Sequence, residues 1–301
     1  MVRKAFQHVG RRVVRPVPIQ SRLHRRRFVA AGLTEQFIDV EGGRIRFWKG
    51  GKGPLLLLIH GFGADATWQW SGQVRTLSRH HTLLVPDLPG FGASHFHGHP
   101  PTLNNQVNAM FSLLESHPVC DVVGISYGGF VALRMVECAP ERFRRLVIMA
   151  CPGRTYTGDD YAALLKRYDI AHIVDLLLPK QPENVRRLLA LAWHRPPWVP
   201  KWALPSVHSD LFLDQVHAKN ALLHDLVSHL KTPLPPPDEP FRTPSMVIWG
   251  AHDPLFPVAL AHRLADSIHA ELRILPRAAH APNLEHPRQI NRLIRRFLAS
   301  A

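Results

Sequence analysis

The chain has 301 residues, 46% of them apolar and 20% charged. That supplies one large core and excludes a wholly disordered chain. Of its three cysteines, Cys120, Cys138 and Cys151 lie near apolar segments without C-x-x-C spacing, which argues against a disulfide framework or a metal centre.

The formal net charge of +14 is unevenly spread. Arg3, Lys4, Arg11, Arg12, Arg15, Arg22, Arg25, Arg26 and Arg27 precede the first acid, Glu35. Residues 1–33 therefore read as a basic arm, flexible or forming one short helix. Such an arm is either simply solvated or attaches electrostatically to an anionic membrane surface. The apolar stretch after Arg27 is too short for a signal-peptide core, and no apolar run is long enough to span a membrane. No nucleic-acid recognition element follows the arm, which argues against that partner. The expected location is the cytoplasm, with peripheral membrane contact through the arm as the alternative.

Beyond the arm, Gln36–Val40 and Arg44–Trp48 alternate around Glu41-Gly42-Gly43, a hairpin signal. Pro54–Ile59 is a continuous apolar run, as expected of a parallel strand covered on both faces. It ends in His60-Gly61-Phe62-Gly63. The spacing of Trp70, Val74 and Leu77 predicts a helix over 67–78. His81–Pro86 is the next strand, and it ends in D-L-P-G-F-G-A-S from Asp87. Val107, Met110, Phe111 and Leu114 mark an amphipathic helix. Val122–Ile125 is a short buried strand, Ser126 ends it, and a helix begins at Tyr127. Leu146–Ala150 is a further strand.

The alternation then stops. Residues 155–242 contain helical pieces broken by Arg195–Trp202 and by the prolines around Pro235, and they read as an inserted helical cap. Strands resume at Ser245–Gly250. A helix over 257–269, a strand at Glu271–Leu275 and a final helix with Ile290, Leu293, Ile294 and Phe297 on one stripe complete the chain. Residues 34–154 and 243–301 thus form an α/β core. Its fold class is a mostly parallel, eight-stranded sheet flanked by helices.

In such sheets ligands bind beyond the carboxyl ends of the strands. Gly124, Ser126 and Gly128 form G-x-S-x-G at one of those ends. This pattern alone arises by chance in about one chain in ten of this length. At the other ends stand H-G-F-G from His60, W-G-A-H-D-P from Trp249, and A-A-H ending at His280. Together with D-L-P-G-F-G-A-S these motifs make the sequence resemble the α/β-hydrolase fold superfamily, in its serine esterase and lipase-like branch with a helical cap. The likeness runs from about Phe37 to the C-terminus and leaves the arm outside.

The resemblance implies a triad in the chain order Ser126, Asp253, His280. Ser126 would be the nucleophile, His280 the base and Asp253 the group that orients the imidazole. The backbone N–H groups of Phe62 and Tyr127 would form the oxyanion hole. Asp159 and Asp160 remain alternatives for the acid, and His286 for the base. His60 is expected to brace the oxyanion loop or to border the substrate pocket. Asp87, Gly90 and Gly92 are expected to shape a turn. In the cap, Trp193, Trp198, Trp202 and Phe212 are candidates to line an apolar acyl channel, or to be the cap's own core.

The expected activity is hydrolysis of a small-molecule carboxylic ester with a hydrophobic acyl group, without cofactor or metal. Cleavage of a C–C bond in vinylogous diketones is the alternative chemistry. A catalytically weak ligand-binding protein is the alternative of another class. Oligomeric state is not legible.

Overall fold

The computed structural model describes residues 16–63, 65–98, 101–117, 119–231 and 241–299. Most of the basic arm's charge, from Arg3 to Arg15, lies outside them.

The sheet is built from β1 (Leu33–Val40), β2 (Gly43–Gly51), β3 (Leu55–Ile59), β4 (Thr82–Pro86), β5 (His95–Phe96), β6 (Cys120–Ile125), β7 (Phe143–Met149), β8 (Ser245–Gly250) and β9 (Glu271–Leu275). Eight of them run in the order β1-β2-β4-β3-β6-β7-β8-β9, and the two-residue β5 pairs with β2 beside that path. β1, β2 and β4 are joined antiparallel, while β4, β3, β6, β7, β8 and β9 are parallel.

The continuous apolar runs have a physical reason. Successive strand side chains point to opposite faces, and here both faces are covered. Leu57 and Ile59 of β3 join one core together with Val122, Ile148 and Trp249. Leu56 and Leu58 join a second core with Val123, Met149 and Ile248. Each such side chain, fully removed from water, contributes about 1.5–3 kcal/mol.

Two groups of helices cover these faces. The first core is closed by α4 (Leu103–Leu113), α5 (Tyr127–Cys138) and α11 (Val258–Ser267). The second is closed by α1 (Pro16–Ala30), α2 (Ala66–Trp70), α3 (Val74–Leu77) and α13 (Pro287–Ala299), the last preceded by the one-turn α12 (Pro282–Glu285). α1 is the described part of the arm. It buries Val17, His24 and Phe28, with the Phe28 ring 5.2 Å from that of Trp48. Arg25 donates two hydrogen bonds to the Glu35 carboxylate, at 2.8 and 2.7 Å.

The helix expected over 67–78 is two short helices, α2 and α3. Gly72 interrupts them where a Cβ would stand 3.0 Å from Cβ of Pro287, so the break lets α13 approach. Between β7 and β8 lie α6 (Gly158–Tyr168), α7 (Val174–Leu177), α8 (Val185–Ala192), α9 (Leu204–Val207) and α10 (Val216–Lys231). A capping box at Thr157 and Asp160 starts α6.

Candidate active site

Ser126 sits where β6 turns into α5, with φ 52° and ψ −120°. A non-glycine residue rarely adopts positive φ, and the surroundings must impose it. The imposing contacts are close. A Cβ at Gly124 would stand 2.4 Å from the carbonyl oxygen of Gly128, and one at Gly128 would stand 2.3 Å from that of His60. Glycine at both positions lets helix, strand and the loop after β3 converge on the serine.

The loops after β8 and β9 converge on the same point. His280 Nε2 is 2.8 Å from Ser126 Oγ, and His280 Nδ1 is 2.9 Å from Asp253 Oδ2. The other carboxylate oxygen of Asp253 accepts hydrogen bonds from the backbone N–H of Leu255 and Phe256, both at 2.9 Å. The acceptor Asp253 places the ring proton on Nδ1, which leaves Nε2 to accept from the serine hydroxyl. The indole N–H of buried Trp249 donates to Phe256 O at 2.9 Å and pins that turn from below.

The alternatives are engaged elsewhere. Asp160 accepts from Thr157 and pairs with Arg263 at 2.6 Å, while Asp159 lies on the first turn of α6. His286 Nε2 lies 2.7 Å from Arg277 O.

Phe62 and Tyr127 both border the cavity above Ser126. His60 does not. It is fully buried, so its expected place at the pocket is corrected. Leu88 N–H donates to its Nε2 at 2.9 Å, and its Nδ1 lies 2.7 Å from Gly61 O. Burial pushes its pKa down to about 4, so the ring is neutral at neutral pH and donates through Nδ1. It braces the loop that carries Phe62. Asp87 shapes the next turn by accepting from Ala66 N–H and Ala93 N–H at 3.0 Å each. Arg46 bridges Asp87 and Asp65 beneath it.

Further braces escaped the sequence reading. Gly61 N–H donates to Gln69 Oε1 at 3.4 Å, and Gln69 Nε2 donates to Asn283 Oδ1 at 3.0 Å. That path ties the Phe62 loop to the segment following His280. Glu285 accepts from Ala279 N–H and from His194 N–H, which anchors the His280 loop to the chain after α8. Single polar residues on short helices carry no periodic signal, so nothing in the sequence marked them.

The cavity measures about 320 Å³ and is lined mainly by apolar side chains, among them Phe130, Leu133, Leu164, Leu223, Leu226 and Val227. The expected tryptophans are not among its walls. Trp198 and Trp202 are 82% and 60% exposed: Trp198 stands in the irregular, proline-broken run, and Trp202 stands on the single 3-10 turn Lys201–Ala203 that leads into the next helix. Trp193 is half-buried outside the cavity. Phe212 is not among the walls either; its ring lies by Gly63, where a Cβ would stand 3.7 Å from it. The walls come from α5, α6, α7 and α10 instead. The apolar stripe Leu223, Leu226, Val227 and Leu230 of α10 was the sequence signal available for them.

Among the described residues, no three His, Cys, Asp or Glu side chains are grouped to hold a metal. No described helix is long and apolar enough to cross a membrane.

Comparison with known proteins agrees with this architecture. Residues 56–293 match a model of the alpha/beta hydrolase family. The chain is 30% identical over 264 residues to the pimeloyl-(acyl-carrier protein) methyl ester esterase of Xylella fastidiosa strain M12, covering 83% of this chain and 97% of that one. It is 27% identical over 270 residues to the monoacylglycerol lipase ABHD6 of Homo sapiens, covering 83% of this chain and 77% of that one. The lip1 crystal structure from Acinetobacter baumannii AYE superposes with a TM-score of 0.79 at 22% identity, over 92% of this chain and 94% of that one. That last likeness is one of fold. A mostly parallel sheet, a serine held at positive φ between strand and helix, and relatives named as an esterase and a lipase lead to one conclusion: this chain is a hydrolase of the alpha/beta hydrolase family.

Proposed function

We propose that the chain hydrolyses carboxylic esters with a hydrophobic acyl group through an acyl-enzyme on Ser126. The observation that carries this reading is the hydrogen-bonded path from Ser126 Oγ through His280 to Asp253, at 2.8 and 2.9 Å, opening into an apolar cavity. A serine hydroxyl is a weak nucleophile until a base takes its proton. In this mechanism His280 Nε2 takes that proton as Oγ attacks the ester carbonyl. Asp253 keeps the ring in the required tautomer and stabilises the imidazolium. The backbone N–H groups of Phe62 and Tyr127 stabilise the oxyanion. His280 then gives its proton to the leaving alcohol, and water, activated by the same ring, releases the acid.

The apolar walls favour an acyl chain of medium length over acetate. With p-nitrophenyl esters, kcat/KM is expected to rise from acetate to octanoate. A steady fall with chain length would sink the apolar-acyl reading. A vinylogous diketone in the same panel tests the C–C alternative, since its cleavage without any ester turnover would replace the ester reading.

The outward face of α1 carries Arg22 and Arg26 beside Ile19 and Leu23, which are 52% and 43% exposed. With the basic residues before it, this face supports peripheral attachment to anionic membranes. The chain is expected to sediment with phosphatidylserine vesicles at low salt and to be released at high salt. Equal binding to zwitterionic vesicles would count against this mode of attachment.

A further inference from the structure

Single apolar side chains scattered over a surface are ordinary, but a contiguous exposed group marks an interaction site. Among the described residues, nine large apolar side chains are exposed. Three of them, Ile19, Leu23 and Val29, lie on α1. Three more, Trp198, Trp202 and Leu213, lie on one stretch of the insert. The two groups are neighbours, because α1 packs against α9 and against the π-helical turn His208–Leu213. Trp202 stands on the 3-10 turn that leads into α9, and Leu213 ends the π-helical turn.

Packing fixes the outward side of each group. At 3.6 residues per turn, Ile19, Arg22, Leu23, Arg26 and Val29 share the side of α1 opposite Val17, His24 and Phe28. The last three are buried against the core. Pro196, Pro197 and Pro200 restrict the backbone around Trp198, and Arg186 Nη2 donates to Val199 O at 3.0 Å. The run is thus restrained while Trp198 itself protrudes.

The charge around both groups is mostly basic. Arg22 and Arg26 stand among the apolar residues of α1, and residues 194–202 hold Arg195 and Lys201 with no acid. Of the two acids beside Leu213, Asp210 accepts a hydrogen bond from Ser206, and Asp214 acts on the buried ammonium of Lys219. An indole pairs an apolar body with a polar N–H, which suits the boundary between lipid headgroups and acyl chains. A side chain that protrudes as far as Trp198 also fits insertion into a soft layer better than a match to a rigid pocket. Basic flanks complement anionic headgroups.

We propose that this surface docks on an anionic lipid bilayer, with Trp198 and Trp202 entering the headgroup layer beside α1. The inference rests on the attachment through α1 proposed above and adds a second, apolar anchor on the insert. One weak membrane signal gives only marginal binding, whereas two together hold. The basic residues draw the chain to the surface, and the indoles set which side of the molecule faces it.

The test compares the full wild-type chain with Trp198→Ala/Trp202→Ala and with Arg22→Gln/Arg26→Gln. Each is sedimented at low salt with phosphatidylcholine vesicles, with and without phosphatidylserine. Both tryptophans lie outside the cavity above Ser126, so turnover of a soluble p-nitrophenyl ester and Tm are expected to match the wild type. The tryptophan variant is expected to lose about tenfold or more in partition onto phosphatidylserine vesicles, and the arginine variant about tenfold. Lipid brominated near the headgroup is expected to quench wild-type fluorescence and to quench the tryptophan variant far less, since Trp48, Trp70 and Trp249 are buried. The proposal is overturned if the tryptophan variant partitions like wild type, or if brominated lipid quenches both proteins equally. A loss confined to the arginine variant would leave α1 as the attachment without the indoles. Equal binding of wild type to vesicles lacking phosphatidylserine also overturns the proposal, and binding to neither vesicle removes the α1 reading with it. Self-association that the tryptophan variant abolishes, without lipid binding, would assign the surface to a second copy of this chain instead.

Discussion

Ser126→Ala is expected to lower kcat/KM for esters by at least about ten-thousand-fold and to abolish labelling by a fluorophosphonate probe, with little change in Tm. The size follows from chemistry that works as a unit. Without Oγ no acyl-enzyme forms, and the oxyanion donors and the cavity retain only the residual catalysis that binding provides. Stability should survive because the strained backbone at residue 126 is imposed from outside. Ser126 N–H donates to Met149 O at 2.9 Å, and close backbone contacts fix the glycines on either side. Alanine at φ 52° bears a strain similar to that of serine. Asp253→Asn should cost about as much, on the order of ten-thousand-fold in kcat. The amide can still accept from Leu255 and Phe256 N–H, so the turn should persist while the imidazole loses its anionic partner. Residual activity within tenfold of wild type in Ser126→Ala, or undiminished probe labelling, would refute Ser126 as nucleophile.

Gly128→Ala is expected to destabilise the fold by about 3 kcal/mol and to depress kcat severely at the same time. The added Cβ would stand 2.3 Å from His60 O and 2.6 Å from Ile59 O. Both obstacles are backbone, so no flexible side chain can move aside. Relief requires either α5 to lift from the sheet or the loop after β3 to shift. The first loosens the packing of Val131 and Ala132, both fully buried. The second moves Phe62, whose N–H is proposed to hold the oxyanion. Thermal unfolding and kcat measured on one preparation check this. An unchanged Tm together with an unchanged kcat would show that the approach of helix and loop has more slack than these contacts allow.

The parts of the molecule differ in how readable they are, for physical reasons. The buried strands were legible because two-sided burial demands uninterrupted apolar residues, as in Leu56–Ile59 and Val122–Ile125. The turn at Ser126 was legible because its glycines answer to contacts made within a few residues and with one neighbouring loop. The arm's charge was visible at once, whereas the burial of Phe28 against Trp48 depends on a strand that follows later in the chain. The tryptophan-rich run after Trp193 misled, since aromatic composition suggests a pocket wall while its prolines keep it at the surface. The true walls, such as Leu223 and Val227, look in sequence like any helix stripe.

By itself, then, the sequence determined the alternation of strands and helices and the kind of residue that stands at each strand end, because these follow from local burial and backbone geometry. The tertiary structure decided which of 20 histidines reaches the serine. It chose His280 over His286, and it left Asp160 to Thr157 and Arg263 while Asp253 faces the imidazole. It also decided which side chains of the insert enclose the cavity. Those choices depend on contacts between segments tens to hundreds of residues apart, where position in space is set by the packing of the whole sheet and no local pattern records it.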